Sequence, residues 1–78
     1  IVVNPNLSNI TIKNGFVDAT NQSNGILVNS GCTSIILTDV NVKNATIANI
    51  RFNQVTDSVM RNCEMISSAS AGLSLNSC

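Results

Sequence analysis

The sequence has no histidine, tryptophan or tyrosine, and Phe16 and Phe52 are its only aromatic residues. Charged residues make up 10% of the chain and the net charge is zero. Without histidine or closely spaced cysteine pairs, no zinc site is expected. Because the four basic residues are scattered, the chain has no positive patch for a phosphate backbone, and no nucleic-acid partner is expected.

Long hydrophobic runs and paired cysteines are missing as well. No apolar run approaches the ~20 residues that a membrane-spanning helix requires, so no membrane insertion is expected. The cysteines are Cys32, Cys63 and Cys78, an odd number that excludes a fully paired disulfide framework within the chain. We therefore expect them to be small, buried hydrophobic residues.

What the sequence does contain is aliphatic residues and asparagine. Isoleucine, valine and leucine dominate an apolar fraction of 44%, and there are thirteen asparagines. Asparagine tolerates the left-handed backbone conformation that tight corners require, so this mixture is typical of a solvated β-surface with many corners. With 78 residues the chain forms one small domain, residues 1–78, whose core is marginal without further support.

An internal repeat of 23 to 25 residues runs through nearly the whole chain. Four copies of the pattern apolar-x-apolar-Asn begin at Ile1, Ile26, Ile50 and Leu73. A second segment, residues 9–17, recurs as residues 34–42 and 57–65. Both segments alternate apolar and polar residues, which is strand periodicity, and they lack regular hairpin turn signals. The repeats are therefore expected to stack, each strand pairing in parallel with its copy in the next repeat.

The segment Ile-x-Ile-x-Asn-Gly-x-Val at residues 10–17, with its later copies, resembles the parallel β-helix repeat of the pectate-lyase-like superfamily. That superfamily includes polysaccharide lyases, glycosidases and viral tailspikes. The resemblance covers residues 1–78 and implies an all-β fold: a right-handed, single-stranded parallel β-helix, or solenoid, of about three coils of 23–25 residues. Because one coil architecture supports many unrelated functions, the resemblance predicts structure and not activity.

Stacking would arrange like residues in columns along the solenoid axis. The predicted inward core columns are Ile1, Ile26, Ile50 and Leu73; Val3, Val28, Phe52 and Leu75; Ile12, Leu37 and Met60; and Val17, Val42 and Met65. Two polar columns lie where the chain must bend: Asn4, Asn29, Asn53 and Asn76, and Asn14, Asp39 and Asn62. Stacked asparagine side chains can hydrogen-bond along the axis, so a corner ladder is predicted here in preference to a sugar or calcium site.

No catalytic, cofactor-binding or metal-binding residues are predicted. Catalysis needs at least two convergent reactive groups, and relatives with this coil use clusters of Asp, Arg and Lys, or several Asp with a His. Asp18 and Lys43 share a column one coil apart and are expected to form a surface ion pair. Phe16 is the one candidate for an aromatic sugar platform, although partial cover by a neighbouring loop or subunit is favoured.

The ends of a three-coil stack carry the functional prediction. Each end would expose an open strand edge and an apolar cross-section, which solenoids normally cap. We therefore expect a segment of a longer β-helix, or a stack against other chains. The leading hypothesis is a structural shaft segment of an extracellular or virion-surface fibre, spike or adhesin. Alternatives are a non-catalytic fragment of a polysaccharide-degrading enzyme and an oligomeric assembly module. Expected partners are further coils or other subunits, with polysaccharide as a further candidate.

Overall fold

The computed structural model describes all 78 residues, which form eight β-strands and no helix. The strands are β1 (Val2–Val3), β2 (Ser8–Asp18), β3 (Asn24–Val28), β4 (Thr33–Lys43), β5 (Ala48–Asn53), β6 (Val59–Arg61), β7 (Glu64–Ile66) and β8 (Ala71–Asn76). Every strand pairing is parallel and joins one coil to the next. The chain is a parallel β-solenoid of about three turns, which confirms the fold class predicted from the repeat.

Two sheets form the walls of the solenoid. The first contains β1, β3, β5 and β8 in that order, and the second contains β2, β4 and β6, with β7 also paired to β4. In the first sheet Val28 lies beside Phe52, and Phe52 lies beside Leu75. In the second sheet Leu37 lies beside Met60. The strand register therefore follows the sequence repeat, because each coil adds one full copy of it.

Corners with a left-handed backbone account for six of the thirteen asparagines. Twelve non-glycine residues have positive φ, and six of them are asparagine. Strands β2 and β4 bend at Asn14 (φ 56°) and Asp39 (φ 55°). At the matching position of the third coil, Asn62 (φ 50°) separates β6 from β7. Asparagine and aspartate adopt this left-handed conformation at lower cost than other side chains, which explains the column of Asn14, Asp39 and Asn62. The other polar column has no left-handed member: Asn4, Asn29, Asn53 and Asn76 are not among the residues with positive φ.

The apolar core is concentrated in the middle of the stack. Eleven residues form one buried cluster: Val3, Ile26, Val28, Cys32, Ile35, Leu37, Val40, Val42, Ile50, Phe52 and Val55. Around it pack Ile10, Ile12, Val17, Met60, Cys63 and Met65, which are partly buried. The apolar columns therefore run through the whole stack, but only their central members are fully covered.

Three residues predicted as core are exposed. Ile1 is 54%, Leu73 39% and Leu75 55% accessible to solvent. Leu73 and Leu75 pair in register with Ile50 and Phe52, as the repeat requires. Their exposure has a simple cause: they belong to the outermost coils, where no neighbouring coil covers the outer side of the column.

The polar columns form less of a ladder than the sequence suggests. One side-chain rung is present, in which Nδ2 of Asn76 donates to Oδ1 of Asn53 at 2.9 Å. Asn29 instead donates to the backbone carbonyl of Val3 at 3.1 Å, and Asn4 makes no side-chain rung. The column of Asn14, Asp39 and Asn62 has no side-chain rung either. Its residues share a left-handed backbone, which is the property that selects them.

Candidate functional site

The charged residues do not converge on a reactive centre. No group of three or more histidine, cysteine, aspartate or glutamate side chains is placed to hold a metal ion. The ion pair expected between Asp18 and Lys43 is also not formed. The Lys43 ammonium lies over the Phe16 ring, 5.1 Å from its centroid.

Asp18 is satisfied locally instead. Its Oδ1 accepts hydrogen bonds from the Thr20 hydroxyl at 2.6 Å, the Thr20 backbone N–H at 3.1 Å and Nδ2 of Asn44 at 3.2 Å. The Thr20 hydroxyl, the Asn44 amide and the Thr20 N–H, in that order, hold the pKa of Asp18 below its ordinary value. Nearby Lys43 adds a smaller effect in the same direction. These contacts close the turn after β2, so Asp18 has a structural role.

Phe16 lies on the outer surface of β2. Its side chain is 59% exposed, so the expected cover by a neighbouring loop is absent from this chain. A cation–π contact of this kind contributes about 0.5–1 kcal/mol at an exposed position. Because the ammonium of Lys43 lies over the ring, Phe16 is only partly free to act as a flat platform for a sugar.

A concave feature lies at the C-terminal end of the stack. It is a groove of about 420 Å³ between β8 and the segment that leads into β6. Its lining is Phe52, Val55, Thr56, Asp57, Ser58, Val59, Met60, Leu75 and Cys78, six of which are hydrophobic. This groove and the residues around it are called the C-terminal end face below.

The third coil departs from the repeat beside the groove. Ile10 and Ile35 occupy successive coils of an inward column, and the third coil has Ser58 at this position. Ser58 Oγ accepts a hydrogen bond from the Ile35 N–H at 3.2 Å and donates one to the Thr56 carbonyl at 3.2 Å. The serine therefore completes the hydrogen bonding at the start of β6, and its side chain, which lines the groove, is smaller than the isoleucine of the two preceding coils.

The cysteines are all free and differ in exposure. Cys32 is buried, Cys63 is partly buried and Cys78 is exposed, so the prediction of buried cysteines holds fully only for Cys32. Cys78 points toward the interior and its thiol contacts the Phe52 carbonyl at 3.5 Å. It is exposed because it belongs to the last coil. Leu7, Cys32, Val55 and Cys78 form a further inward column. Each follows the one before it at an interval of 23 or 25 residues, so the repeat in the sequence could have revealed this column.

Asn49 is an important residue that the sequence reasoning missed. It is fully buried; its Oδ1 accepts from the Ala45 N–H at 3.0 Å and its Nδ2 donates to the Ile66 carbonyl at 3.1 Å. The neighbouring coils have Gly25 and Gly72 at the same register position. A Cβ at Gly25 would come within 2.9 Å of the Asn49 carbonyl and would also meet the Val42 side chain. The Asn49 side chain thus links two coils through its hydrogen bonds, and the space beside Gly25 is filled by the Val42 side chain and the Asn49 backbone.

No protein-family model, curated protein or solved structure matches this chain. The structure contains no apolar helix long enough to cross a lipid bilayer. The solenoid exposes two kinds of surface: its end faces, where strand edges are unpaired and apolar residues such as Leu75 are exposed, and the outer surfaces of its sheets.

Proposed function

We propose that the chain is a structural β-solenoid, a length of shaft in an extracellular or virion-surface fibre, spike or adhesin. The proposal includes kinship of its coil with the pectate-lyase-like superfamily, supported by the Ile-x-Ile-x-Asn-Gly-x-Val pattern at residues 10–17. One observation carries it. The inward apolar columns continue to both end faces, where Ile1, Leu73 and Leu75 are 54%, 39% and 55% exposed.

The energetics of a solenoid favour covering these end faces. Stability in such a fold is approximately a sum of terms for each coil and for each contact between neighbouring coils. Full burial of an aliphatic side chain contributes about 1.5–3 kcal/mol, so covering a half-exposed leucine contributes about 1 kcal/mol. A coil added over Leu73, Leu75 and Met65 would also pair the open edge of β8. The proposed partners are accordingly further coils or other subunits.

The test is a covalent extension of the solenoid in register. Ser8 pairs with Thr33, and Thr33 pairs with Thr56. Position 79 would be the next member of this column, because Thr56 lies 23 residues before it. A chain in which residues 8–78 follow directly after residues 1–78 therefore continues every column and forms about six coils.

We expect this extended chain to unfold in one transition, with a denaturant slope and a free energy of unfolding more than twice those of the single unit. The reason is that one new coil contact replaces two open ends. Small-angle scattering should show a rod of about twice the axial length. The matched control retains residues 1–7 at the junction, which places a strand of the first sheet where the second sheet should continue. If both fusions unfold at the midpoint of the single unit, the shaft proposal is wrong.

A further inference from the structure

We infer that this chain assembles head to tail by strand exchange, in which residues 1–7 of one copy detach and the last coil of another copy takes their place. Residues 1–7 are called the N-terminal segment below. The inference rests on the proposed function, because a shaft requires its end faces to be covered by coils. It adds what covers them, a second copy of this chain, and the register in which that copy binds.

The two sheets differ in the number of strands, and this difference decides how copies can stack. The first sheet has four strand positions, and the second has three, because β6 and β7 both pair with β4. Two intact copies cannot form a continuous solenoid, since placing β1 on β8 leaves a strand position empty in the second sheet. The stack is continuous when β8 replaces β1. Strand β8 then pairs with β3 of the next copy, and β6 and β7 pair with its β2.

The N-terminal segment is the weaker of the two strands that compete for β3. Strand β1 pairs with β3 through two residue pairs, and within the segment only Val3 is buried. Strand β8 has six residues and pairs with β5 through five residue pairs. Exchange therefore gives β3 a longer partner, and it adds a contact between β2 and the open edge of β6 and β7 that separate copies lack.

The last coil reproduces the backbone hydrogen bonds of the N-terminal segment. The Val3 carbonyl accepts a hydrogen bond from the Asn29 N–H at 3.1 Å. Leu75 has the register position of Val3, so its carbonyl accepts the same bond from Asn29 of the next copy. Leu73 replaces Ile1 in the same way. The bonds along β3 that break when the segment detaches are therefore formed again with β8.

The side chains of the second sheet also match in this register. Ile12 of the next copy lies over Met60, as Leu37 does on the other side of Met60 within the chain. Ile10 of the next copy lies over Ser58 and enters the groove of about 420 Å³ that Ser58 helps to line. The contact between copies therefore continues the contact between coils that already exists inside the chain.

The size of the contact sets its strength. The chain measures 28 × 23 × 16 Å, and the shortest dimension corresponds to four stacked strands about 4.8 Å apart. Each face is therefore roughly an ellipse of 28 by 23 Å, about 500 Å² in area, and the contact buries about 1,000 Å² in total. This is near the lower limit for a specific interface. Because the two faces differ, the contact does not close, and association produces rods of increasing length.

Strand exchange also brings two free thiols together. Cys78 takes the register position of Leu7, because both belong to the inward column that contains Cys32 and Val55. Cys78 of one copy then lies one coil from Cys32 of the next, with about 4.8 Å between Cα atoms, a separation that a disulfide spans. Within one chain the same two cysteines are two coils apart, about 9.6 Å, which is too far for a disulfide.

Disulfide trapping tests this register. A chain with Cys63→Ser, which leaves only Cys32 and Cys78, would be refolded from urea at millimolar concentration and treated with oxidised glutathione. Two thiols lose two protons and two electrons, and the oxidant is reduced to two molecules of glutathione. We expect a ladder of linked multimers in which Cys32 is joined to Cys78, since each chain supplies one of each. Dimers joined only through two Cys78 residues, or no linked product, would overturn the inference.

A second variant holds the N-terminal segment in place. In Leu7→Cys the new thiol lies one coil from Cys32 of the same chain, so oxidation in dilute solution closes a disulfide within the chain. With Cys63→Ser and Cys78→Ser also present, this locked chain should stay monomeric in sedimentation velocity, and it should associate after reduction and refolding. Leu7→Ser in the same background is the matched control and should associate under both conditions. Equal association of the locked and reduced chains would show that exchange is not required.

One like-charge pair weakens association in this register. Lys13 and Arg61 belong to one outward column, and exchange places Lys13 of the next copy directly over Arg61. Lys13→Glu should therefore tighten association about three- to tenfold, and adding Arg61→Glu should return it to within about twofold of the parent chain. Lys43→Glu changes the net charge equally but lies in the middle coil, so it should have no effect. Equal association of the single and double variants would contradict the register.

The covalent six-coil chain separates failure of this inference from failure of the shaft proposal. It continues the same columns but needs no exchange, because residues 1–7 are absent from its second unit. If that chain forms a rod while separate copies stay monomeric or associate without exchange, the shaft proposal stands and only the exchange inference is wrong.

Discussion

Replacing Asn49 with alanine should destabilise the solenoid by about 2–4 kcal/mol, a large fraction of the stability of a small domain. The side chain is completely buried and makes two hydrogen bonds to the backbone. After truncation the Ala45 N–H, whose residue is 1% exposed, has no partner and no access to water. The Ile66 carbonyl loses less, because it also accepts from the Asn44 N–H at 3.1 Å.

The magnitude comes from two sources. A buried donor left unsatisfied costs about 1–3 kcal/mol. The volume vacated by the side chain adds a cavity cost of about 1 kcal/mol, which is smaller than that of a leucine truncation. Asn49→Leu separates the two contributions, because it retains most of the volume while removing both hydrogen bonds. We expect it to remain destabilising by about 1–3 kcal/mol.

Urea denaturation followed by far-ultraviolet circular dichroism is the suitable assay, since the chain has no tryptophan or tyrosine for fluorescence. The matched control is Asn41→Ala, the same substitution at an exposed position of β4, which should change the free energy of unfolding by less than about 0.5 kcal/mol. If Asn49→Ala and Asn41→Ala lower the free energy of unfolding equally, the hydrogen bonds of Asn49 do not stabilise the contact between coils.

Three further predictions follow from single positions. Gly25→Ala should cost about 1–3 kcal/mol by overpacking against the Val42 side chain and the Asn49 backbone, whereas Gly15→Ala, which has open space, should be neutral or slightly stabilising in the same urea assay. Because hydrogen bonds lower the pKa of Asp18 in the folded chain, its contribution to stability is present above its ordinary pKa of 3.8 and is lost as the pH falls through the lower folded value. The stability difference between the parent chain and Asp18→Asn should therefore disappear in acid, and a pH-independent difference would contradict this. Cys78 should react with a thiol reagent at once and Cys32 only on unfolding, and equal rates would show that Cys32 is not covered by the coils on either side of it.

The solenoid and its register could be predicted from the sequence because a coil is generated by simple translation. Each residue is followed after 23 to 25 positions by its neighbour in space, so a column in the structure is a periodic pattern in the chain. Ile26 and Ile50 illustrate this: both are fully buried and they lie side by side. The interval alone was sufficient to align them.

Other features could not be read from periodicity. A repeated column in the sequence predicts which side chains point inward, but it does not predict how far they are buried. Leu75 points inward and is still exposed, because it belongs to an outer coil. Asn14 and Asp39 were selected by backbone conformation, and sequence alone does not separate that requirement from side-chain bonding. Asn49 occurs in one coil only, so no repeated pattern marked it. Lys43 contacts the Phe16 ring and does not pair with Asp18, because the Asp18 carboxylate already accepts hydrogen bonds from nearby residues.

Nuclear Overhauser contacts between methyl-bearing side chains would test the parallel stack most directly. In the described register Ile26 contacts Ile50, and Leu37 contacts Met60, so the cross-peaks should connect residues at a constant separation of 23 to 25 positions. Antiparallel hairpins would instead give separations that change steadily along each strand pair. Cross-peaks at the constant repeat interval are the expected result, and steadily changing separations would contradict the solenoid.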